Sequence, residues 1–179
     1  MQRLVIEGEK RISGEIEVQG AKNSALPLLA GCVLARGEVV LHNCPGLSDV
    51  FAACRILTCL GCKCRTQGNT VTVRSYELTG SSVPDELMRE MRSSIVFLGA
   101  VLGRTGECSL SFPGGCELGP RPIDMHISAL KQMGVSIKEE HGVLSCTCPR
   151  GIKGAKITLS FPSVGATENI MLSLIHISE

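Results

Sequence analysis

Residues 20–27 read GAKNSALP, residues 93–100 read SSIVFLGA, and residues 165–172 read GATENIML. Each string sets small, hydroxyl or amide side chains ahead of an apolar run with helical spacing, and the three starts lie 73 and 72 residues apart. A second signature keeps this offset: LTCLG at 57–61 and LKQMG at 130–134 each end an amphipathic helix on glycine. Gly61 and Gly134 are therefore expected to cap those helices in the left-handed conformation, which costs glycine least. Short β-rich runs also correspond: EVVL at 38–41 with ECSL at 107–110, and NTVTV at 69–73 with GVLSC at 142–146. The sequence thus predicts an α/β (α+β) chain built from repeated units of about 73 residues. Each unit packs helices on short mixed strands, in the order helix, strand, helix, strand, turn, strand.

Composition narrows the function classes. With 179 residues, 44% hydrophobic and 20% charged, the chain can bury a core and should fold. A net charge of +1, no Trp, one Tyr and four Phe leave neither the global field nor the stacking platforms of a nucleic-acid binder. Arg3, Glu7, Glu9 and Lys10 crowd the first ten residues, where an export signal would need an apolar stretch. The longest apolar run, residues 25–35, is interrupted by Pro27 and is too short to cross a bilayer. The expectation is a soluble, cytoplasmic protein with no membrane partner.

Ten cysteines without an export signal suit a reducing compartment, so disulfides are not expected. Cys59, Cys62 and Cys64 could suggest zinc with Cys146 and Cys148, but only one C-x-x-C spacing is present. Core packing is the better account of most of them. Cys116 is different, because it follows Gly114 and Gly115 in a segment reading PGGCELGPRPIDMH, residues 113–126. Two glycines let the loop turn sharply and expose the thiol, and Arg121 nearby favours the thiolate. No Cys-His protease arrangement is read here: His126 lies in the next helix, and no third residue to orient it can be named.

Other candidates bind anions or cap helices. Lys22 and Asn23 stand at a helix start, where free backbone N–H groups already favour an anion; a solvated first turn with Asn23 as cap is the alternative. Arg92, beside Ser93 and Ser94, offers a weaker version of the same site. Asp124, near the start of the helix that Pro122 opens, serves as an N-terminal acceptor or bonds a ligand across the helix end. Residues 163–167, SVGAT, read as a plain turn or as a loop that lets a phosphate approach backbone N–H groups.

Taken in order, residues 20–27, 91–94 (MRSS), 113–126 and 163–171 (SVGATENIM) resemble the motifs of the UDP-N-acetylglucosamine 1-carboxyvinyltransferases. The resemblance covers about residues 1–171 and implies an enolpyruvate transferase-like domain. It further implies transfer of the enolpyruvyl group from phosphoenolpyruvate to the 3′-hydroxyl of UDP-N-acetylglucosamine, the first committed step toward peptidoglycan precursors, with no metal or organic cofactor. Cys116 would be the catalytic proton donor, the site of a phosphoenolpyruvate adduct and the target of fosfomycin. Lys22 and Asn23 would bind phosphoenolpyruvate. Arg92, Arg121, Pro122, Ile123, Asp124, Met125, Ser163, Val164 and Gly165 would line the nucleotide-sugar site.

The same resemblance divides the chain. Residues 1–19 would form opening strands that pack with a second domain, residues 20–171 would form most of the first domain, and residues 172–179 (LSLIHISE) diverge from the family. The second domain would complete the cleft with a carboxylate and further arginines, so this chain alone is expected to be inactive. A non-catalytic UDP-sugar-binding domain, or a non-functional piece, is the alternative reading.

Overall fold

The computed structural model describes residues 4, 5, 8, 11, 13–112 and 123–174. The first unit runs α1 (Lys22–Gly31), a 3-10 turn (Cys32–Leu34), β1 (Glu38–Leu41), α2 (Ser48–Cys59), β2 (Lys63–Gln67) and β3 (Thr70–Arg74). The second opens with β4 (Ser82–Val83), α3 (Asp85–Glu90) and a 3-10 turn (Arg92–Val96). It continues through α4 (Phe97–Thr105), β5 (Glu107–Ser111), α5 (Asp124–Gln132), β6 (Ser136–Glu140) and β7 (Val143–Thr147). A third unit begins with α6 (Val164–Leu174).

The duplication extends to hydrogen bonds. The first sheet has the order β1-β3-β2 and the second β4-β5-β7-β6, with every pairing antiparallel except the short parallel β4–β5 edge. Gly61 and Gly134 both take positive φ, +103° and +88°. Behind them the Cys62 N–H reaches the Leu57 carbonyl at 2.9 Å, and the Val135 N–H reaches the Leu130 carbonyl at 3.0 Å. These are matching closures of α2 and α5, the six-residue bond that satisfies otherwise orphaned helix carbonyls.

Strand alternation faces one side of each sheet to the helices: Val71 and Val73 of β3, and Leu144 and Cys146 of β7, are buried. Helix α4 lies at the centre, with residues 97–102 all buried. A helix apolar on every face has no stable position except inside a core. Burying side chains such as Phe97, Leu98 and Leu102 contributes roughly 1.5–3 kcal/mol each.

Two features depart from the simplest reading of the repeats. The second unit's helix does not start at Ser93, because residues 92–96 form a 3-10 turn before α4. In addition, Pro27 lies inside α1 without ending it. Residues 13–21 carry no helix or strand, and Leu4, Val5, Ile16 and Val18 are 74–93% exposed. At the other end α6 runs on through Leu174, with Leu172 and Ser173 buried. No helix among the described residues is long and apolar enough to cross a membrane.

Candidate functional site

The first candidate wall is the approach to α1. A Cβ at Gly20 would sit 1.8 Å from the Asn43 carbonyl oxygen, so only glycine lets the chain pass. The Gly20 N–H also donates to Asn43 Oδ1 at 3.3 Å. This close approach sets where α1 begins. Lys22 is its first residue, and Nζ donates to Asp49 Oδ2 at 2.7 Å, from the first turn of α2. The cation is therefore held in place, and an arriving anion must share it with a carboxylate. Asn23 is not the cap: Ala21 occupies that position, with no side-chain capping bond. Pro27 has no N–H, so the Asn23 carbonyl lacks its usual partner four residues on.

The second wall comprises three helix starts. Arg92 is exposed at the head of the 3-10 turn before α4. At the head of α5, Ile123 is buried and fills the core, Asp124 is exposed in the first turn, and Met125 is half-buried. At the head of α6, Ser163 Oγ accepts the Ala166 N–H at 3.2 Å, while the Ser163 carbonyl accepts from Thr167 N and Oγ1. Ser163 thus caps α6, the role a serine two or three residues ahead of an orphan N–H performs well. Val164 is 75% exposed, and Gly165 lies against the His126 ring.

Asn169 joins these starts. It is fully buried on α6; its Oδ1 accepts the Gly99 N–H of α4, and its Nδ2 donates to the Ile95 carbonyl at 3.1 Å and to His126 Nδ1 at 2.9 Å. The heads of α4, α5 and α6 are thereby tied together. Among the described residues, no hydrogen bond joins Lys22 or Asn23 to them. Cys116, Arg121 and Pro122 lie outside the described residues.

Sequence reasoning found no residue to orient His126, and Asn169 corrects that. The polarity, however, opposes a protease arrangement. Asn169 Nδ2 carries only protons, so His126 Nδ1 must supply the lone pair and the ring proton resides on Nε2. Such an imidazole has no basic nitrogen left to take a thiol proton. Burial pushes the His126 pKa below its ordinary 6.5, against a smaller opposing pull from Asp124. Neither Asn169 nor Asp49 carries a local sequence signal, since each acts on a partner distant in the chain.

The described thiols divide by environment. Seven of the nine are buried, Cys64 is half-buried and Cys59 is exposed. Burial pushes Cys62 and Cys146 up to about 11 and Cys32 up to about 12. These groups stay protonated at neutral pH and act as core side chains. A cleft of about 710 Å³ opens beside the far ends of α4 and α6, lined by Thr105, Glu107, Cys148 and Ser173 among others. None of the described candidate residues lines it, and the helix starts described above lie at the opposite ends of α4 and α6.

Known proteins resemble this chain in sequence and in fold. A family model described as EPSP synthase (3-phosphoshikimate 1-carboxyvinyltransferase) matches residues 6–178. A relative from Caldanaerobacter subterraneus subsp. tengcongensis named UDP-N-acetylglucosamine 1-carboxyvinyltransferase 2 is 49% identical over 97% of this chain. One of the same name from Carboxydothermus hydrogenoformans is 42% identical over 98%. This chain spans 41% and 42% of their lengths. Among solved structures, the enolpyruvyl transferase NikO from Streptomyces tendae superposes with a TM-score of 0.78 at 20% identity, over 93% of this chain and 39% of its own. An EPSP synthase from Acinetobacter baumannii gives 0.68 at 18%, over 89% and 37%.

Proposed function

The chain belongs to the EPSP synthase (3-phosphoshikimate 1-carboxyvinyltransferase) family, and from that premise we propose that it forms the nucleotide-sugar wall of a UDP-N-acetylglucosamine 1-carboxyvinyltransferase site. The observation that carries this reading is the 49% identity, over nearly the whole chain, to a relative of that name. The reaction moves the enolpyruvyl group of phosphoenolpyruvate onto the sugar 3′-hydroxyl and releases phosphate, in the cytoplasmic assembly of cell-wall precursors.

In this scheme Cys116 delivers a proton to the methylene carbon of phosphoenolpyruvate, which makes the adjacent carbon electrophilic toward the sugar oxygen. Proton delivery of this kind by a positioned thiol is general acid catalysis. Lys22 and Asn23 receive phosphoenolpyruvate at the head of α1, where the helix dipole and a point charge add. Arg92, Arg121, Pro122, Ile123, Asp124 and Met125 hold the nucleotide-sugar with Ser163, Val164 and Gly165. A second domain, beyond these residues, supplies the base for the sugar hydroxyl and closes the cleft.

Calorimetry and a phosphate-release assay test this together. The 179-residue chain is expected to bind UDP-N-acetylglucosamine without turnover, and to release phosphate once mixed with the complementary segment of a relative. Absence of UDP-N-acetylglucosamine binding would overturn the reading. Binding without phosphate release in the mixture would leave a UDP-sugar-binding module.

A further inference from the structure

His126 and Asn169 have no part in the reaction as proposed, yet they form the polar centre of the region that would hold the nucleotide-sugar. The orientation of the Asn169 amide is fixed by partners that cannot change role. The Gly99 N–H only donates, so Oδ1 faces it; the Ile95 carbonyl only accepts, so Nδ2 faces that. Ile95 and Gly99 are four residues apart, the spacing of an α-helical hydrogen bond. The amide therefore inserts where that bond would lie, at the change from the 3-10 turn to α4.

The second Nδ2 proton goes to His126 Nδ1 at 2.9 Å and sets the ring as the neutral Nε2–H tautomer. His126 is itself only 7% exposed and follows Asp124 and Met125 in α5. Its other edge meets the head of α6: a Cβ at Gly165 would lie 3.7 Å from Cε1 and 3.9 Å from Nε2. One buried pair thus spans α4, α5 and α6 at the end where Arg92, Asp124, Met125 and Ser163–Gly165 sit.

We infer that His126, held as the Nε2–H tautomer by Asn169, is a positioning residue that locks the heads of α5 and α6 to each other and to α4. The role rests on the reading of Asp124, Met125 and residues 163–165 as the nucleotide-sugar wall. The pair touches no reacting atom. It fixes the spacing between two segments that must grip one ligand, so its loss weakens binding.

Nitrogen-15 NMR of the imidazole in the wild-type chain tests the tautomer without any substitution. A protonated Nε2 and an unprotonated Nδ1 are expected, and the reverse overturns the inference. His126→Asn places an oxygen where Nδ1 stood and keeps the acceptor; His126→Phe keeps the bulk and leaves an Asn169 proton unpaired. Losing a buried hydrogen bond of this kind corresponds to about 10-fold or more in a local equilibrium. Amide exchange at residues 166–168 should therefore rise about 10-fold in His126→Phe and return to within about 3-fold in His126→Asn. Affinity for UDP-N-acetylglucosamine should follow the same order. Unchanged exchange in His126→Phe overturns the clamp. If the wild-type chain binds no UDP-N-acetylglucosamine, the substrate reading fails, while tautomer and exchange still decide the clamp.

Discussion

Lys22 and Asp49 lie 2.7 Å apart at the surface, with 42% and 23% of their side chains exposed. An exposed ion pair of this kind contributes at most about 1 kcal/mol, because water and salt screen it. Lys22→Met should thus shift a urea unfolding curve little while abolishing phosphoenolpyruvate binding measured by calorimetry. Asp49→Asn should leave stability similar and tighten that binding, since the anion no longer shares its cation. Thiol chemistry divides the same way. Brief iodoacetamide treatment of the native chain should label Cys59 well before Cys32, Cys62, Cys108 and Cys146, as mapped by peptide mass. Fosfomycin should add its mass to the Cys116 peptide, and a native chain that stays unlabelled there would count against the assigned role. Cys116, Lys22 and Arg92 could be proposed from the sequence because their signals are local: a glycine pair, a helix start, a neighbouring cation. Asp49 and Asn169 were not, because what each residue does depends on a partner 27 to 74 positions away.

At the scale of elements, glycines set how closely helices pass. A Cβ on Gly99 of α4 would lie 2.1 Å from the Asn169 carbonyl oxygen and 2.4 Å from its side-chain oxygen; on Gly103 it would lie 3.2 Å from the Ser173 carbonyl. Gly99→Ala must push α6 away and break the amide insertion, at a cost above about 3 kcal/mol. Gly103→Ala needs only a small shift and should cost about 1 kcal/mol or less. Denaturant midpoints of the two variants check the difference. The helix-end glycines make a second comparison. Both Gly61 and Gly134 are left-handed, but only Gly61 is crowded: a Cβ there would lie 2.6 Å from the Thr79 backbone nitrogen. Gly134→Ala should lose about 1 kcal/mol, the conformational cost alone, and Gly61→Ala clearly more. His126 adds a pH dependence. Its native pKa is depressed below 6.5, so the unfolded chain binds the extra proton first. Stability should be full above pH 6.5 and fall as pH drops from there through the lower native value. His126→Asn should flatten that slope in thermal unfolding followed from about pH 7.5 to about pH 5.

For the molecule as a whole, the repeat was the legible feature. A period of 73 residues foretold repeated units of one element order and two helix ends capped by left-handed glycines, because backbone geometry follows locally from glycine and alternation. The repeat could not foretell where units differ through contact. The 3-10 turn at residues 92–96 accompanies an asparagine arriving from the next unit, and nothing within residues 92–96 announces it. The opening segment raises a related question of partners. Ile16 and Val18 are 93% and 86% exposed, with no strand among residues 13–21 to share their backbone groups. Such residues add nothing to the folded core, yet they offer an apolar stretch to other chains. Replacing both with Asp should leave the unfolding free energy within about 0.5 kcal/mol, as for surface positions generally. It should also shift sedimentation toward monomer at high protein concentration. A loss of several kcal/mol would mean instead that these side chains pack against the domain in solution, and that the segment belongs to its fold.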